Sequence, residues 1–196
     1  MSWGKWASNP HEPSLLSHQP NALGLSLKID WIDMMSYANQ LDACMYAGAD
    51  KRADGTLKSW ASYDPQTRAN ESVFAVKQDV KLLNANIVKV TVEQALTRLK
   101  EQRQITPQDF DYFVPHYSSG YFRERLFEGM RNVGFEIPYD KWFTNLAEKG
   151  NTGSASIFII LEELFNSGKL KKGQKILCYV PESGRFSCGY IQLTVV

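Results

Sequence analysis

Two short stretches of this chain gather side chains able to do chemistry. In Val114-Pro115-His116-Tyr117-Ser118-Ser119 an imidazole follows a short apolar run that ends in proline. In Gly150-Asn151-Thr152-Gly153-Ser154-Ala155-Ser156 a carboxamide stands among glycines and small residues. His116 is the only histidine beyond residues 1–22. An imidazole just past the C-terminal edge of a strand lies where open α/β sheets take ligands. An amide at the head of a helix built from small residues lets a ligand approach closely and donates hydrogen bonds towards negative charge. Each residue alone also has a plain structural use. His116 can cap backbone groups at a strand end, and Asn151 is an ordinary helix N-cap.

The surrounding elements decide whether the two can meet. Residues 1–22, rich in Pro, Ser, Asn and His, show no sustained period and read as an irregular lead-in to a domain over 23–196. From Leu23 to Met34, apolar residues alternate with small or polar ones, the two-residue period of a strand with one buried face. Gly48 to Pro65 reads as a loop with a turn at Asp54-Gly55. Between Glu71 and Lys100, apolar residues recur mostly every three or four positions, predicting one long amphipathic helix. A strand over Phe110–Pro115 and a helix over Tyr121–Val133 with Gly134 as its stop come next. Ser154 to Phe165 is apolar on almost every side until Glu162, the pattern of a helix buried in a layered fold, with Gly168 as its cap. Lys175–Val180 and Tyr190–Val196 read as two strands joined through the glycine-containing stretch 181–189. Strands alternating with helices predict the α/β class, a mixed sheet covered by helices.

Composition narrows the partners. Lys and Arg number 22 against 21 Asp and Glu, so the basic excess expected of a nucleic-acid binder is missing. Cys44, Cys178 and Cys188 have neither the spacing of a zinc site nor the density of a disulfide scaffold, which implies no metal and fits a reducing, cytoplasmic setting. No apolar run approaches the ~20 residues of a membrane span, and the first residues lack a signal-peptide core, so neither a membrane nor export is expected.

The order Val-Pro-His, about thirty-five residues, then Gly-Asn-Thr with Ser-Ala-Ser, then a glycine-rich turn before the last strand resembles β-ketoacyl-acyl-carrier-protein synthase III across 23–196. The resemblance implies the C-terminal half of a thiolase-like fold with a Cys-His-Asn active site and no cofactor. His116 and Asn151 match its His and Asn, implied to hold a malonyl thioester oxygen while carbon dioxide leaves and the carbanion attacks an acylated cysteine. Decarboxylation builds charge on that oxygen, and two preorganised donors stabilise it. The loop Glu182-Ser183-Gly184-Arg185-Phe186 matches the family's glycine-rich segment beside the site. With Gly153, its Gly184 and Phe186 are therefore expected to bind substrate, although a plain hairpin turn would look the same. Arg123 and Arg125 could attract an acidic acyl carrier protein or simply form a solvated helix face. Leu-Lys-Ile-Asp-Trp-Ile-Asp-Met-Met-Ser-Tyr-Ala-Asn, with Asp-Gly-Thr-Leu-Lys-Ser-Trp, looks like the subgroup found with aryl polyene and dialkylresorcinol pathways, fatty-acid-like or polyketide-like chemistry.

The chain departs from the family in one respect. Full-length relatives carry the nucleophilic cysteine at the head of a buried helix in a first half, where the dipole lowers its pKa. Cys44, Cys178 and Cys188 have no such setting. The expectation is a truncated or divided enzyme, inactive alone, that pairs with a cysteine-bearing half, a second copy or another chain. Its alternatives are a non-catalytic partner of a condensing enzyme or carrier protein, and an inactive remnant. Its substrates would be acyl carrier protein or coenzyme A thioesters. Losing such a half would leave the 154–165 helix partly uncovered.

Overall fold

A computed structural model describes residues 20–196, so most of the expected lead-in lies outside the described residues. The chain runs through β1 (Leu27–Ser36), β2 (Met45–Tyr46), β3 (Ala49–Lys51), β4 (Leu57–Ser59), α1 (Pro65–Asn70), β5 (Lys77–Gln78) and α2 (Val80–Val88). A π-helical turn (Lys89–Gln94) leads into α3 (Ala95–Arg103), β6 (Tyr112–Pro115), α4 (Tyr121–Asn132), α5 (Leu146–Lys149), α6 (Ser156–Asn166), β7 (Lys175–Glu182) and β8 (Ser187–Val195).

The main sheet has the order β1-β8-β7-β6, with β6 and β7 parallel and the other pairs antiparallel. It is the expected mixed sheet, and helices cover both faces. The pleat of β7 shows why. Leu177 and Tyr179 join Leu83, Ile87, Leu96, Leu99, Leu126 and Met130 of the helices on one side. Ile176 and Cys178 join Ile157, Ile160, Leu161 and Leu164 of α6 on the other. Successive residues point to opposite faces, so a strand buried on both must be apolar throughout, as Ile-Leu-Cys-Tyr is.

Several elements differ from the sequence reading. The strand expected from Leu23 starts at Leu27 and is bulged between Ile29 and Trp31. The 48–65 loop contains a small hairpin, β3 with β4, around the expected Asp54-Gly55 turn, where Asp54 accepts from the Thr56 backbone amide at 2.9 Å. The helix expected from Glu71 begins only at Val80, because Asp79 caps it by accepting from Leu82 N at 2.9 Å. Val73 and Val76 precede that cap, and their helical spacing is accidental. The burial of α6 is one-sided: Ile160 and Leu164 are core, whereas Phe158 is 61% exposed.

Helix α4 lies against the α2–π junction through Gly129. A Cβ there would meet Val88 Cγ1 at 2.5 Å, closer than side chains tolerate. Replacing Gly129 by Ala should therefore cost about 1–3 kcal/mol of stability despite the better helix propensity of alanine. Urea denaturation checks this, and an unchanged or raised midpoint would show that the two helices are free to separate.

Candidate functional site

His116 is placed by the parallel pairing of β6 with β7. The ladder runs to Pro115 opposite Tyr179, and the His116 amide continues it by donating to Tyr179 O at 2.8 Å. The residue is only 7% exposed. No ring nitrogen has a hydrogen-bond partner among the described residues. Burial pushes the imidazole below its ordinary pKa, because a charged ring would lose its hydration there. A neutral His116 has one N–H to donate and one nitrogen to accept.

Asn151 sits in the turn between α5 and α6. Its Oδ1 accepts from Gly153 N at 2.9 Å, so the side chain fixes its own loop and does not cap α6 as an N-cap would. That acceptor bond leaves Nδ2 without a partner among the described residues. Gly150 and Gly153 adopt φ of +72° and +63°, the left-handed region in which a side chain is strained. Ser156, buried at the head of α6, accepts from Thr152 N at 3.0 Å and closes the loop. Ahead of α5, buried Asn145 donates to Glu163 Oε2 at 2.7 Å and ties the approach to this loop onto α6.

His116, Asn151 and Gly153 line one cavity of about 340 Å³. Leu83, Ile87 and Val88 of α2 and Phe122 and Leu126 of α4 supply its apolar wall. Tyr117, Ser118, Gln78, Glu182 and Ser183 supply polar groups. Few polar groups converging on an apolar cavity of this size suit a small-molecule chain with a reactive end. The Glu182 carboxylate is committed to its own turn, accepting from the backbone amides of Gly184 and Arg185. Gln78 Nε2 donates to Ser183 Oγ at 3.2 Å across the rim. Sequence reasoning missed the rim contributions of Met45 and Gln78, because only the pairing of β2 with β5 brings them there.

The other expected site residues lie elsewhere. Gly184 and Phe186 do not line the cavity: the Gly184 carbonyl accepts from Cys44 N at 2.8 Å, and Phe186 is fully buried in the core. Phe186 adopts φ +54°, held by its burial and by Tyr37 N donating to its carbonyl at 2.9 Å. Their neighbours Glu182 and Ser183 line the cavity instead. Arg123 and Arg125 lie on α4, each over an aromatic ring, Tyr139 at 4.1 Å and Tyr121 at 3.7 Å, and both are exposed.

Cys44, Cys178 and Cys188 are free and buried, and none lines the cavity. Burial pushes the Cys188 thiol up to about 12 and raises Cys44 and Cys178 as well. None of them is a thiolate near neutral pH. Among the described residues no group of three or more His, Cys, Asp or Glu is placed to hold a metal, and no helix is long and apolar enough to cross a membrane.

The lowered pKa of His116 gives a signed pH dependence. The unfolded chain binds the proton first as pH falls, so the stability tied to neutral His116 is complete above the ordinary value of 6.5 and is lost towards the folded-state pKa. Between about pH 7.5 and about pH 5.5 the native protein should lose more stability than a His116→Gln variant, measured by urea denaturation at both values. Equal losses would put the ring in water.

Residues 100–188, which include His116 and Asn151, match the family described as 3-oxoacyl-[acyl-carrier-protein] synthase III C terminal. The β-ketoacyl-[acyl-carrier-protein] synthase III of Clostridium kluyveri is 30% identical over 135 residues, 68% of this chain and 40% of that protein. The corresponding protein of Caldanaerobacter subterraneus is 29% identical over 135 residues, 67% and 39% of the two chains. The chain thus spans about two fifths of the length of the curated relatives it matches. Among solved structures it is similar to 3-oxoacyl-(acyl carrier protein) synthase III of Pseudomonas aeruginosa, with TM-score 0.60, 19% identity and coverage of 96% of this chain and 46% of that one. It is also similar to a tetronic acid condensing enzyme, with TM-score 0.62, 16% identity and coverage of 86% and 43%. Both likenesses are likenesses of fold, and both structures share the thiolase-like layering of a mixed sheet between helices. The sequence match over the site and the shared layering together place this chain as a C-terminal region of the β-ketoacyl-acyl-carrier-protein synthase III family.

Proposed function

We propose that this chain supplies the donor half of an acyltransferase that performs decarboxylative Claisen condensation between an acyl thioester and a malonyl thioester. The observation that carries the reading is that His116 and Asn151, on separate elements, line one apolar cavity with donors left free among the described residues. In the reaction the malonyl C–CO₂ bond breaks, and its electron pair moves onto the thioester as an enolate. The carbanion carbon then bonds to the acyl carbonyl while a cysteine thiolate leaves. The His116 N–H and Asn151 Nδ2 are the donors to the enolate oxygen. Burial keeps His116 neutral, which suits a donor that must not transfer its proton irreversibly.

The nucleophilic cysteine then belongs to polypeptide beyond these 196 residues, continuous with them or separate, because all three thiols present are buried away from the cavity. The one-sided burial of α6 agrees with a further chain packing on Phe158. The acyl group and its acyl carrier protein or coenzyme A arm are the substrates, in fatty-acid-like or polyketide-like synthesis, with the aryl polyene and dialkylresorcinol subgroup as the narrower assignment. Arg123 and Arg125, although engaged with aromatic rings, keep an exposed positive charge for an acidic carrier.

Two measurements test this. Incubated with an acyl-coenzyme A, the chain alone should show no added acyl mass by intact-mass spectrometry; stoichiometric acylation of Cys44, Cys178 or Cys188 would overturn the assignment of the nucleophile. Supplied with a cysteine-bearing half, His116→Ala and Asn151→Ala should each slow carbon dioxide release by on the order of a hundredfold, ~3 kcal/mol, while acylation of that cysteine persists. The double variant should lose less than the product of the two losses, since both donors serve one charge. Decarboxylation undiminished in either single variant would return both residues to structural roles, and a non-catalytic partner would become the better reading.

A further inference from the structure

The helix that supplies one wall of the cavity runs directly into an irregularity that the proposed chemistry does not explain. In an α-helix the Ala95 amide would donate to the carbonyl of Thr91, four residues back. Here it bypasses that carbonyl for those of Val90 and Val92, and the bond to Val90 O makes 89–94 a π-turn with one residue more than an α-turn would hold. The bypassed Thr91 carbonyl is buried, and such a group is costly unless it finds a donor. Tyr190, from β8, provides one: its hydroxyl donates to Thr91 O at 2.8 Å, with the ring fully inside the core.

The Thr91 side chain completes the lock. Its hydroxyl donates to Ile87 O, so the Tyr179 hydroxyl, 2.6 Å away, must be the donor to Thr91 Oγ1. Tyr179 is also a lining residue of the cavity, and its carbonyl holds the His116 amide. Before the π-turn, Leu83 and Ile87 belong both to the core and to the cavity wall and Val88 lines the cavity, whereas Leu96 and Leu99 after it belong to the core and not to the wall. One inserted residue rotates the helix before it by about 100° relative to the helix beyond it. Without the π-turn, α2 could not present these three side chains to the cavity while α3 keeps its core face. Gly129 adds the second wall, since its missing side chain lets α4 close on both Val88 and Val92 across the turn.

We infer that Tyr190 and Thr91, by holding the π-turn against return to an α-helix, are positioning residues that set the shape of the cavity and hence which thioester chains it accepts. The inference about the turn and the wall rests on these hydrogen bonds, whereas the extension to thioester choice rests on the proposed function. Tyr190→Phe removes only the hydroxyl and strands the Thr91 carbonyl, so Ala95 N–H should move back to Thr91 O. Thr91→Val, close in shape, removes the bonds to Ile87 and Tyr179 and should loosen the same turn.

The test is the crystal structure of each variant together with the dissociation constants of octanoyl- and dodecanoyl-coenzyme A for the whole chain. The expected result is loss of the Ala95–Val90 bond in Tyr190→Phe and a change of about tenfold in the ratio of the two constants, the scale at which an apolar pocket separates chain lengths. Should Tyr190→Phe fail to fold, Thr91→Val decides by the same readouts. A folded variant that keeps the Ala95–Val90 bond and an unchanged ratio overturns the inference. If the unaltered chain binds neither thioester, the extension to thioester choice and the proposed use of the cavity fall together, and the hydrogen-bond pattern of the variants still decides whether the tyrosine holds the turn.

Discussion

The site depends on the parallel pairing of two short stretches of strand. Among the described residues β6 is the last strand of the main sheet and pairs in it with β7. The last bond of that pairing, His116 N to Tyr179 O, turns a strand end into a fixed mount for an imidazole. Because β7 is buried on both faces, the mount is rigid. Ile176 and Cys178 are clamped by α6 and Leu177 and Tyr179 by the helices of the opposite face, so any tilt of the strand would open one core to relieve the other.

Around that mount the chemistry is divided by environment. His116 is buried and uncharged, while Asn151 is exposed on a loop that it helps to fold. The pair can converge because the two ties behind the loop, Thr152 to Ser156 and Asn145 to Glu163, hold it to α6, whose inner face packs on β6 and β7. One helix thus carries the amide and, through the sheet, the frame of the imidazole. Burial favours the neutral ring, which has one N–H to donate and one nitrogen to accept.

Buried hydroxyls have a different task. Thr91, Tyr179 and Tyr190 form a small polar network within an otherwise apolar core, with both tyrosines driven to higher pKa by burial and therefore neutral. Satisfied networks of this kind specify one arrangement, since every alternative leaves a polar group without a partner. The cavity wall inherits that specificity.

Much of this is legible in the residues. Alternation in β1, the apolar run from Ile176 to Val180 in β7 and the proline-ended β6 reflect the two-residue period and the choice of buried faces, and they lead to a mixed sheet between helices. His116 and Asn151 stand out by type and spacing, and the unreactive character of the three cysteines accords with their strand or loop contexts. Other features depend on single bonds or on partners far along the chain. The start of α2 escapes a reading by period because Val73 and Val76 imitate helical spacing, while the deciding Asp79 cap is a local bond that periodicity does not report. The π-turn leaves no trace in the apolar pattern, since its stabilising donor comes from Tyr190, 99 residues away. Gly184 and Phe186 look like a substrate loop, yet their backbone groups are claimed by Cys44 and Tyr37 from the other end of the chain. Residue type and period determine which faces must be buried. Only the folded chain decides which distant groups satisfy the polar atoms left inside, and those bonds shape this cavity.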